Sequence, residues 1–255
     1  MKLSTFSERF DQLLATDDYA EVDGSPNGLQ VGDGDMSVSH AAFAVDAAQV
    51  TIDAAADMDA DVLVTHHGLW WEGTDRITQR TYDRVAGLIE HGLGLYVSHL
   101  PLDGHSDLGN AAGIAGILGL EDCSPFGQLG DVTIGQQGRL PDPQPVSAVA
   151  NTLKERLSEN VHGVRTLDHG PADVEDIAIV TGSGVDWLDE AIGQNIDLLI
   201  TGEGKQSVYH QAREAGINVI LGEHYATETF GVQSLQEVAN EWGLSTAYIE
   251  HPTGL

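Results

Sequence analysis

Hydrophobic and polar positions recur along the chain at the periods of helices and strands. Residues 3–15 place Phe6, Phe10 and Leu13 at helical spacing, which predicts an N-terminal helix. Residues 27–32, with the sequence NGLQVG, carry a turn-forming Asn-Gly pair ahead of a short apolar segment. We interpret this stretch as a hairpin or loop.

From residue 41 onward, short apolar runs alternate with helical patterns. This alternation is typical of parallel β-α-β units and predicts an α/β fold. Residues 141–145, with the sequence PDPQP, indicate a crossover region between two halves of the chain. The predicted strands are 41–45, 61–65, 94–98, 177–180, 197–201 and 218–221, and the predicted helices are 47–58, 78–91, 106–118, 153–157, 187–194, 207–215 and 228–242.

The two halves of the chain resemble each other. The sequence DVLVTHHG at Asp61–Gly68 matches DLLITGEG at Asp197–Gly204, and the third strand of each half is followed by a histidine and, four residues later, by a carboxylate. Ordinary β-α-β similarity explains the strand matches but not the paired histidine and carboxylate. We therefore predict an internal duplication into α/β/α halves, residues 1–125 and 126–255, with a C-terminal segment that packs back on the first half.

The composition limits the chemistry. The chain has 40 Asp+Glu against 11 Lys+Arg, a formal net charge of -29, while 41% of its residues are hydrophobic, as in a folded protein. Acidic residues are spread over the whole length, which suggests adaptation to a saline cytoplasm, because molar salt shortens the Debye length to about 3 Å. Nucleic acid is not an expected partner, since phosphate binding relies on Lys and Arg.

Targeting and thiol chemistry are also constrained. We find no basic leader and no apolar run near the roughly 18 residues of a membrane span, so the sequence predicts a cytoplasmic protein without a membrane partner. Cys123 is the single cysteine. An internal disulfide and a thiolate-rich zinc site are therefore excluded, and metal binding would use His, Asp and Glu.

His66 and His67 follow a predicted strand directly. Adjacent side chains on a regular strand point to opposite faces, so both can line one site only if the strand ends at Thr65, which Gly68 supports. Diverging imidazoles on neighbouring residues suit two metal ions better than one. The alternative is that one histidine caps the sheet edge while the other is solvated.

A buried carboxylate changes this balance. Glu228 lies on the apolar face of the last predicted helix, and a buried charge normally finds a cation, a metal or a proton. His224 lies one turn earlier. We predict a dinuclear site for two divalent ions per subunit, such as Zn, Fe or Mn, with Glu228 as the bridging ligand. The predicted ligands are His66, His67, Asp103, His224 and Glu228.

Neighbouring polar residues are predicted to support these ligands. His99 and Glu223 are expected to orient them by hydrogen bonds. Glu203, which matches His67 in the repeat, either joins the site or lies only in the loop. His105 and Asp107 are alternatives to Asp103, although an acid such as Asp107 also suits a helix start.

Other polar and aromatic positions carry less information. Trp70 and Trp71 could form one wall of a pocket for a planar base, and equally could lie in the core or in a subunit contact. There is no P-loop, no GxGxxG motif and no serine-hydrolase elbow. Structural or solvated roles are expected for the remaining histidines: His40, His91, His162, His169, His210 and His251.

In combination, these motifs resemble the Nif-three-like family (NGG-one-interacting factor three-like), whose members are designated by homology as GTP cyclohydrolase I type 2. The resemblance covers nearly the whole chain and is closest to the short members without an inserted middle domain. It implies two intertwined α/β halves, a dinuclear metal site in the cleft and a ring-shaped homohexamer, with metal ligands at the five positions predicted above. The matching segments are NGLQVG at 27–32, VTHHGL at 64–69, SHLPLDG at 98–104, GNAA at 109–112, TGEG at 201–204 and GEHYATE at 222–228.

Three functions are compatible with this resemblance. The family designation implies hydrolysis at C8 of a guanine ring, with release of formate, and Glu223 is the predicted carboxylate that moves protons. The substrate could equally be another nucleotide or heterocycle. The alternatives are a protein that holds iron or zinc for delivery or cofactor assembly, and a hexameric scaffold with structural metals. We favour the metal-dependent hydrolase.

Overall fold

The computed structural model describes residues 1–71, 73, 76–157 and 163–255. His162, one of the histidines without a predicted partner, lies outside these residues. The chain divides into two compact units: unit 1 comprises Met1–Leu102 and Gly231–His251, and unit 2 comprises Asp103–Phe230 and Pro252–Leu255. The boundary predicted between residues 125 and 126 falls within a strand of unit 2.

The order of elements follows the predicted alternation, with additional strands. The helices are α1 Leu3–Leu13, α2 Gln49–Asp57, α3 Gln79–Glu90, α4 Leu100–Gly104, α5 Asn110–Leu118, α6 Val146–Arg156, α7 Leu188–Gly193, α8 Gln206–Ala215, α9 His224–Thr227 and α10 Thr229–Glu241. The strands are β1 Gly28–Val31, β2 His40–Asp46, β3 Val62–His67, β4 Gly94–Val97, β5 Glu121–Leu129, β6 Val132–Pro145, β7 Arg165–Leu167, β8 Asp173–Ile179, β9 Leu198–Thr201, β10 Asn218–Leu221 and β11 Ser245–Tyr248. Among the described residues, no helix combines the length and apolar character that a bilayer crossing requires.

Unit 1 is built on a five-stranded sheet in the order β1-β4-β3-β2-β11. Strands β4, β3, β2 and β11 are parallel, and β1 is antiparallel to β4. The expectation of a hairpin or loop at residues 27–32 is therefore wrong. This segment pairs with a strand about 70 residues away in sequence, and such long-range pairing overrides its local turn signal.

Hydrophobic packing holds both faces of this sheet. Ile52 of α2 and Leu88 of α3 are buried against Leu63 and Leu95 of the central strands. A cluster of aromatic rings joins α1, β4 and the residue directly after α10 within unit 1, with centroid distances of 4.5–6.3 Å. Its members are Phe6, Phe10, Tyr96 and Trp242.

Unit 2 contains a six-stranded sheet in the order β5-β6-β8-β9-β10-β7, of which β8, β9 and β10 are parallel. The interpretation of residues 141–145 as a crossover is wrong, because they form the end of β6, in a long hairpin with β5. Gly130, with φ +58°, begins the tight Gly-Asp turn of this hairpin. The prolines lie near a register shift between Arg139 and Gln144, where they are tolerated because regular pairing is interrupted.

The two sheets share one plan. In each, an antiparallel edge strand, β1 or β7, lies beside three parallel strands, β4-β3-β2 or β10-β9-β8. Asp61 accepts backbone hydrogen bonds from Ser39 and His40 at the start of β2, and Asp197 accepts them from Glu175 and Asp176 in β8. This repetition within each unit supports the predicted duplication and confirms the two-half α/β fold.

We expect replacement of either matched aspartate by alanine to destabilise its own sheet by about 1–3 kcal/mol, because two backbone N–H groups lose their acceptor. Burial raises the pKa of Asp61, but the hydrogen bonds from Ser39 and His40 outweigh burial and hold the pKa below its usual value of 3.8. The stabilisation by Asp61 is therefore complete above pH 3.8 and is lost as the pH falls through the lower folded-state pKa.

Denaturant unfolding of Asp61→Ala and Asp197→Ala measures this effect. The exposed Asp83 of α3 provides a matched control, and Asp83→Ala should change stability by less than about 0.5 kcal/mol. Equal midpoints for all three variants would show that the two aspartates do not hold their neighbouring strands.

Candidate metal centre

The histidine pair lies at the carboxyl end of β3. This strand continues to His67, so the expectation that it ends at Thr65 is wrong. Pairing with β4 does stop at Thr65, opposite Val97, while pairing with β2 continues to His67, opposite Asp46. Beyond Thr65 the strand is held on one side only, and the two imidazole rings lie 4.7 Å apart between centroids.

Three histidines of unit 1 form a group that could hold a metal ion. One ring nitrogen from each of His66, His67 and His99 lies within 4.8 Å of the others. Nδ1 of His66 is 3.0 Å from the carbonyl oxygen of Ser98, and Nδ1 of His67 is 2.8 Å from Oδ1 of Asp46. Because these oxygens are acceptors, Nδ1 carries the hydrogen and donates it. Nε2 then carries the lone pair with which imidazole binds metals.

His99 is held in the same manner by Asp23. The Nδ1–Oδ1 distance is 2.8 Å, and the Asp23 side chain is only 1% exposed. Burial raises the pKa of Asp23, but the hydrogen bond and charge of His99 outweigh burial and hold the pKa below its usual value. His99, predicted to orient the ligands, is thus itself oriented by a buried carboxylate.

The NGLQVG segment positions both histidine loops of unit 1. The side chain of Asn27 accepts a 2.7 Å hydrogen bond from the backbone of His99 and donates one to Asp23. Gln30 accepts a hydrogen bond from the backbone of Leu69, and a Cβ on Gly68 would lie 2.4 Å from Nε2 of Gln30. The absence of a side chain at Gly68 is what allows β1 to hold the loop after His67.

A second group of side chains that could hold a metal ion lies in unit 2. Asp103 is 6% exposed, and its Oδ1 accepts hydrogen bonds from Asn110 at 2.8 Å and from Thr181 at 3.0 Å. A carboxylate oxygen of Glu228 lies within 4.8 Å of one of Asp103. These two carboxylates, both buried, could share a cation.

His224 and Glu228 form a close pair in the same unit. Nε2 of His224 is 3.1 Å from Oε2 of Glu228, and Nδ1 is 3.1 Å from Oε1 of Glu203. Burial lowers the pKa of His224, but the hydrogen bonds and charges of Glu228 and Glu203 outweigh burial and raise the pKa to about 9. Glu203 therefore contacts His224 directly.

Gly182 makes room for this pair. A Cβ at Gly182 would lie 2.2 Å from Oε1 of Glu228 and 3.1 Å from Nε2 of His224, and its φ of +57° also favours glycine. Ser183, which follows Gly182 in the chain, holds Glu203 in place, because its hydroxyl donates a hydrogen bond to Oε1 of Glu203. That hydrogen bond holds the pKa of Glu203 below its usual value.

The remaining predicted residues lie nearby in sequence but make other contacts. Glu223 has an unusual φ of +71°, and its Oε1 accepts a 2.7 Å hydrogen bond from the backbone of Gly163. His105 accepts backbone hydrogen bonds from Asp107 and Leu108 through Nδ1. Helix α5 begins at Asn110, so Asp107 is an exposed turn residue, and its expected place at a helix start is wrong.

Several supporting residues were missed in the sequence. Asp46 could have been found, because parallel strands β2 and β3 end at the same sheet edge, where Asp46 pairs with His67. Asp23 and Thr181 carry no such signal. They lie in loops whose partners are about 76 and 78 residues away, and only the tertiary fold shows these contacts.

The fold and these donor groups define a class of protein: a two-half α/β protein with histidine and carboxylate side chains that could hold a metal ion. The sequence profile of the Duf34/NIF3 family (NGG1p interacting factor 3) matches residues 1–253. The chain belongs to this family, which confirms the resemblance stated from its motifs.

Known relatives agree over the whole length. A protein of Halobacterium salinarum designated GTP cyclohydrolase 1 type 2 homolog is 52% identical over 255 residues, 100% of both chains. The solved structure of protein ybgI, described as of unknown function, has a TM-score of 0.91 at 31% identity and covers 100% of both chains. That of TTHA1606 from Thermus thermophilus has a TM-score of 0.89 at 35% identity, again over 100% of both chains.

Proposed function

We propose that this protein is a metal-dependent hydrolase that uses two divalent ions per chain and acts on a nucleotide or a related heterocycle. The observation that carries the proposal is the fixed orientation of the imidazoles in unit 1, each with Nδ1 bound to a carbonyl or carboxylate oxygen. Such contacts are typical of histidines that bind metals. The proposed ligands are His66, His67, Asp103, His224 and Glu228.

The histidine and carboxylate side chains are typical of a catalytic metal site and not of a structural site built from cysteine thiolates. Imidazoles and carboxylates suit zinc, iron or manganese, and the single cysteine, Cys123, is exposed and remote from these side chains in sequence. When bound, such ions supply Lewis acidity and activate water at neutral pH. Five protein ligands for two ions leave coordination positions for water and substrate.

The protein side chains would handle protons and position the ions. Glu228, 3% exposed, lies near both Asp103 and His224, which supports a bridging role. Glu223 is the proposed proton carrier. Its strained backbone supports this role, because residues in rare conformations cluster at functional sites.

The designation of a similar protein suggests the class of substrate. The similar protein from Halobacterium salinarum is designated a GTP cyclohydrolase 1 type 2 homolog, so GTP is the first substrate to test. Formate release from GTP by the native chain, abolished by a chelator and restored by added metal, is the expected result. Bound metal without turnover of any nucleotide would instead favour the delivery of iron or zinc, which the same ligands could hold.

Substitution of the carboxylates that hold His67 and His99 tests which of these two histidines binds metal. If His67 is a ligand and His99 is not, Asp46→Asn should lower metal affinity by about 10–100-fold, whereas Asp23→Asn should lower turnover with little loss of metal. Each substitution removes one carboxylate 2.8 Å from an Nδ1 atom, although Asp23 also accepts backbone hydrogen bonds from Ser25 and Leu100. Titration of the metal-free variants with zinc measures the difference. Equal losses of affinity would identify His99 as a further ligand.

We further propose a homohexamer that works in a saline cytoplasm. The hexamer rests on the family resemblance. The saline setting is supported by the net charge of -29 and by the 52% identity to a protein of Halobacterium salinarum. High salt screens the repulsion among the acidic side chains of such a chain.

A further inference from the structure

Trp71 is an exposed aromatic side chain beside the histidine group of unit 1. It is 49% exposed, whereas most large apolar side chains among the described residues are buried. Its indole ring lies 4.9 Å from the His99 ring, nearly perpendicular to it at 89°, and 5.8 Å from the His67 ring. Single exposed apolar residues are common on protein surfaces, so the feature that distinguishes Trp71 is its position against two imidazoles of the histidine group.

We infer that Trp71 is a stacking surface for the planar heteroaromatic ring of the substrate. This inference rests on the proposed hydrolase function, which supplies the class of ligand. Indole faces bind planar bases without requiring a particular hydrogen-bond pattern. A ring stacked on Trp71 would lie beside His67 and His99, where the proposed chemistry takes place.

The surroundings of Trp71 favour a small ligand over a protein partner. The rings that contact it are polar imidazoles, and each is anchored by a carboxylate, Asp46 for His67 and Asp23 for His99. Ligand sites combine aromatic side chains with a few oriented polar groups, and Trp71 with these imidazoles supplies both. Stacking also suits this acidic chain, because it binds the neutral base and does not depend on cationic side chains.

Binding of guanosine and adenosine, measured by calorimetry in high salt, tests the inference. Trp71→Ala should weaken purine nucleoside binding by about tenfold or more, and Trp71→Phe, which keeps an aromatic face, by less than about threefold. Tyr82→Ala provides a matched control, because Tyr82 is an exposed aromatic residue of unit 1 on α3. It should bind as the native chain does, and metal content should be the same in all four proteins.

The outcomes separate this inference from the proposed function. Nucleoside binding that requires Trp71, without turnover of any nucleotide or nucleoside by the native chain, would support stacking and contradict the hydrolase proposal. If GTP is hydrolysed, Trp71→Ala should raise KM with kcat nearly unchanged, as expected for uniform binding. Unchanged affinity in Trp71→Ala, absence of nucleoside binding by the native chain, or a changed native mass in Trp71→Ala would each overturn the inference, the last by assigning Trp71 to a protein contact.

Discussion

Glu228→Gln should release at least one of the two metal ions from a chain that stays folded. The carboxylate is 3% exposed, 3.1 Å from Nε2 of His224 and within 4.8 Å of an oxygen of Asp103. An amide of the same size keeps the packing but has one oxygen and no charge, so it cannot bridge two cations. Metal analysis after dialysis, with circular dichroism on the same samples, measures the effect.

Glu223→Gln is the matched control for this variant. Glu223 is five residues earlier, and its carboxylate accepts a hydrogen bond from Gly163. We expect this variant to retain both metals and to lose turnover, because Glu223 is the proposed proton carrier. A Glu228→Gln chain with native metal content would remove Glu228 from the ligand set.

Phe10→Ala should lower the free energy of unfolding by about 3–5 kcal/mol, the usual cost of deleting a buried ring. Phe10 is fully buried, and its ring lies 4.9 Å from Phe6, 5.5 Å from Tyr96 and 4.5 Å from Trp242. This cluster joins the first helix of the chain to Trp242, directly after α10, within unit 1. Denaturant unfolding in high salt measures the loss.

The controls for Phe10 separate packing from general disturbance. Phe10→Leu refills most of the volume and should cost clearly less than Phe10→Ala. Tyr82→Ala removes an aromatic ring that is 59% exposed and should change stability by less than about 0.5 kcal/mol. If Phe10→Ala and Tyr82→Ala unfold at the same denaturant concentration, the aromatic cluster does not stabilise unit 1.

Much of the fold could be predicted from the sequence because the parallel strands are short, apolar and separated by helical patterns. The apolar residues of the strands at 62–64 and 198–200 are buried inside their sheets, so their strand character is unambiguous. The long β5–β6 hairpin was missed because much of it is exposed and carries prolines. Apolar periodicity is weak in such strands, and long-range pairing decides them.

For the candidate site, too, one part could be predicted from the sequence and another part could not. Metal-binding residue types recur at equivalent positions after the third parallel strand of each half, which makes them visible in the sequence. The side chains that orient them are not visible, since Asp23 and Asn27 reach His99 across more than 70 residues. The NGLQVG segment, interpreted from local spacing as a hairpin or loop, instead forms strand β1, which contains Gln30 and directly follows Asn27.

Metal content per chain, measured on native protein purified in high salt, tests the central claim most directly. We predict two divalent ions per chain, retained through dialysis and removed by a strong chelator. A chain that folds and carries no bound metal, even after incubation with zinc, iron or manganese, would contradict the assignment of these histidines and carboxylates as a dinuclear centre.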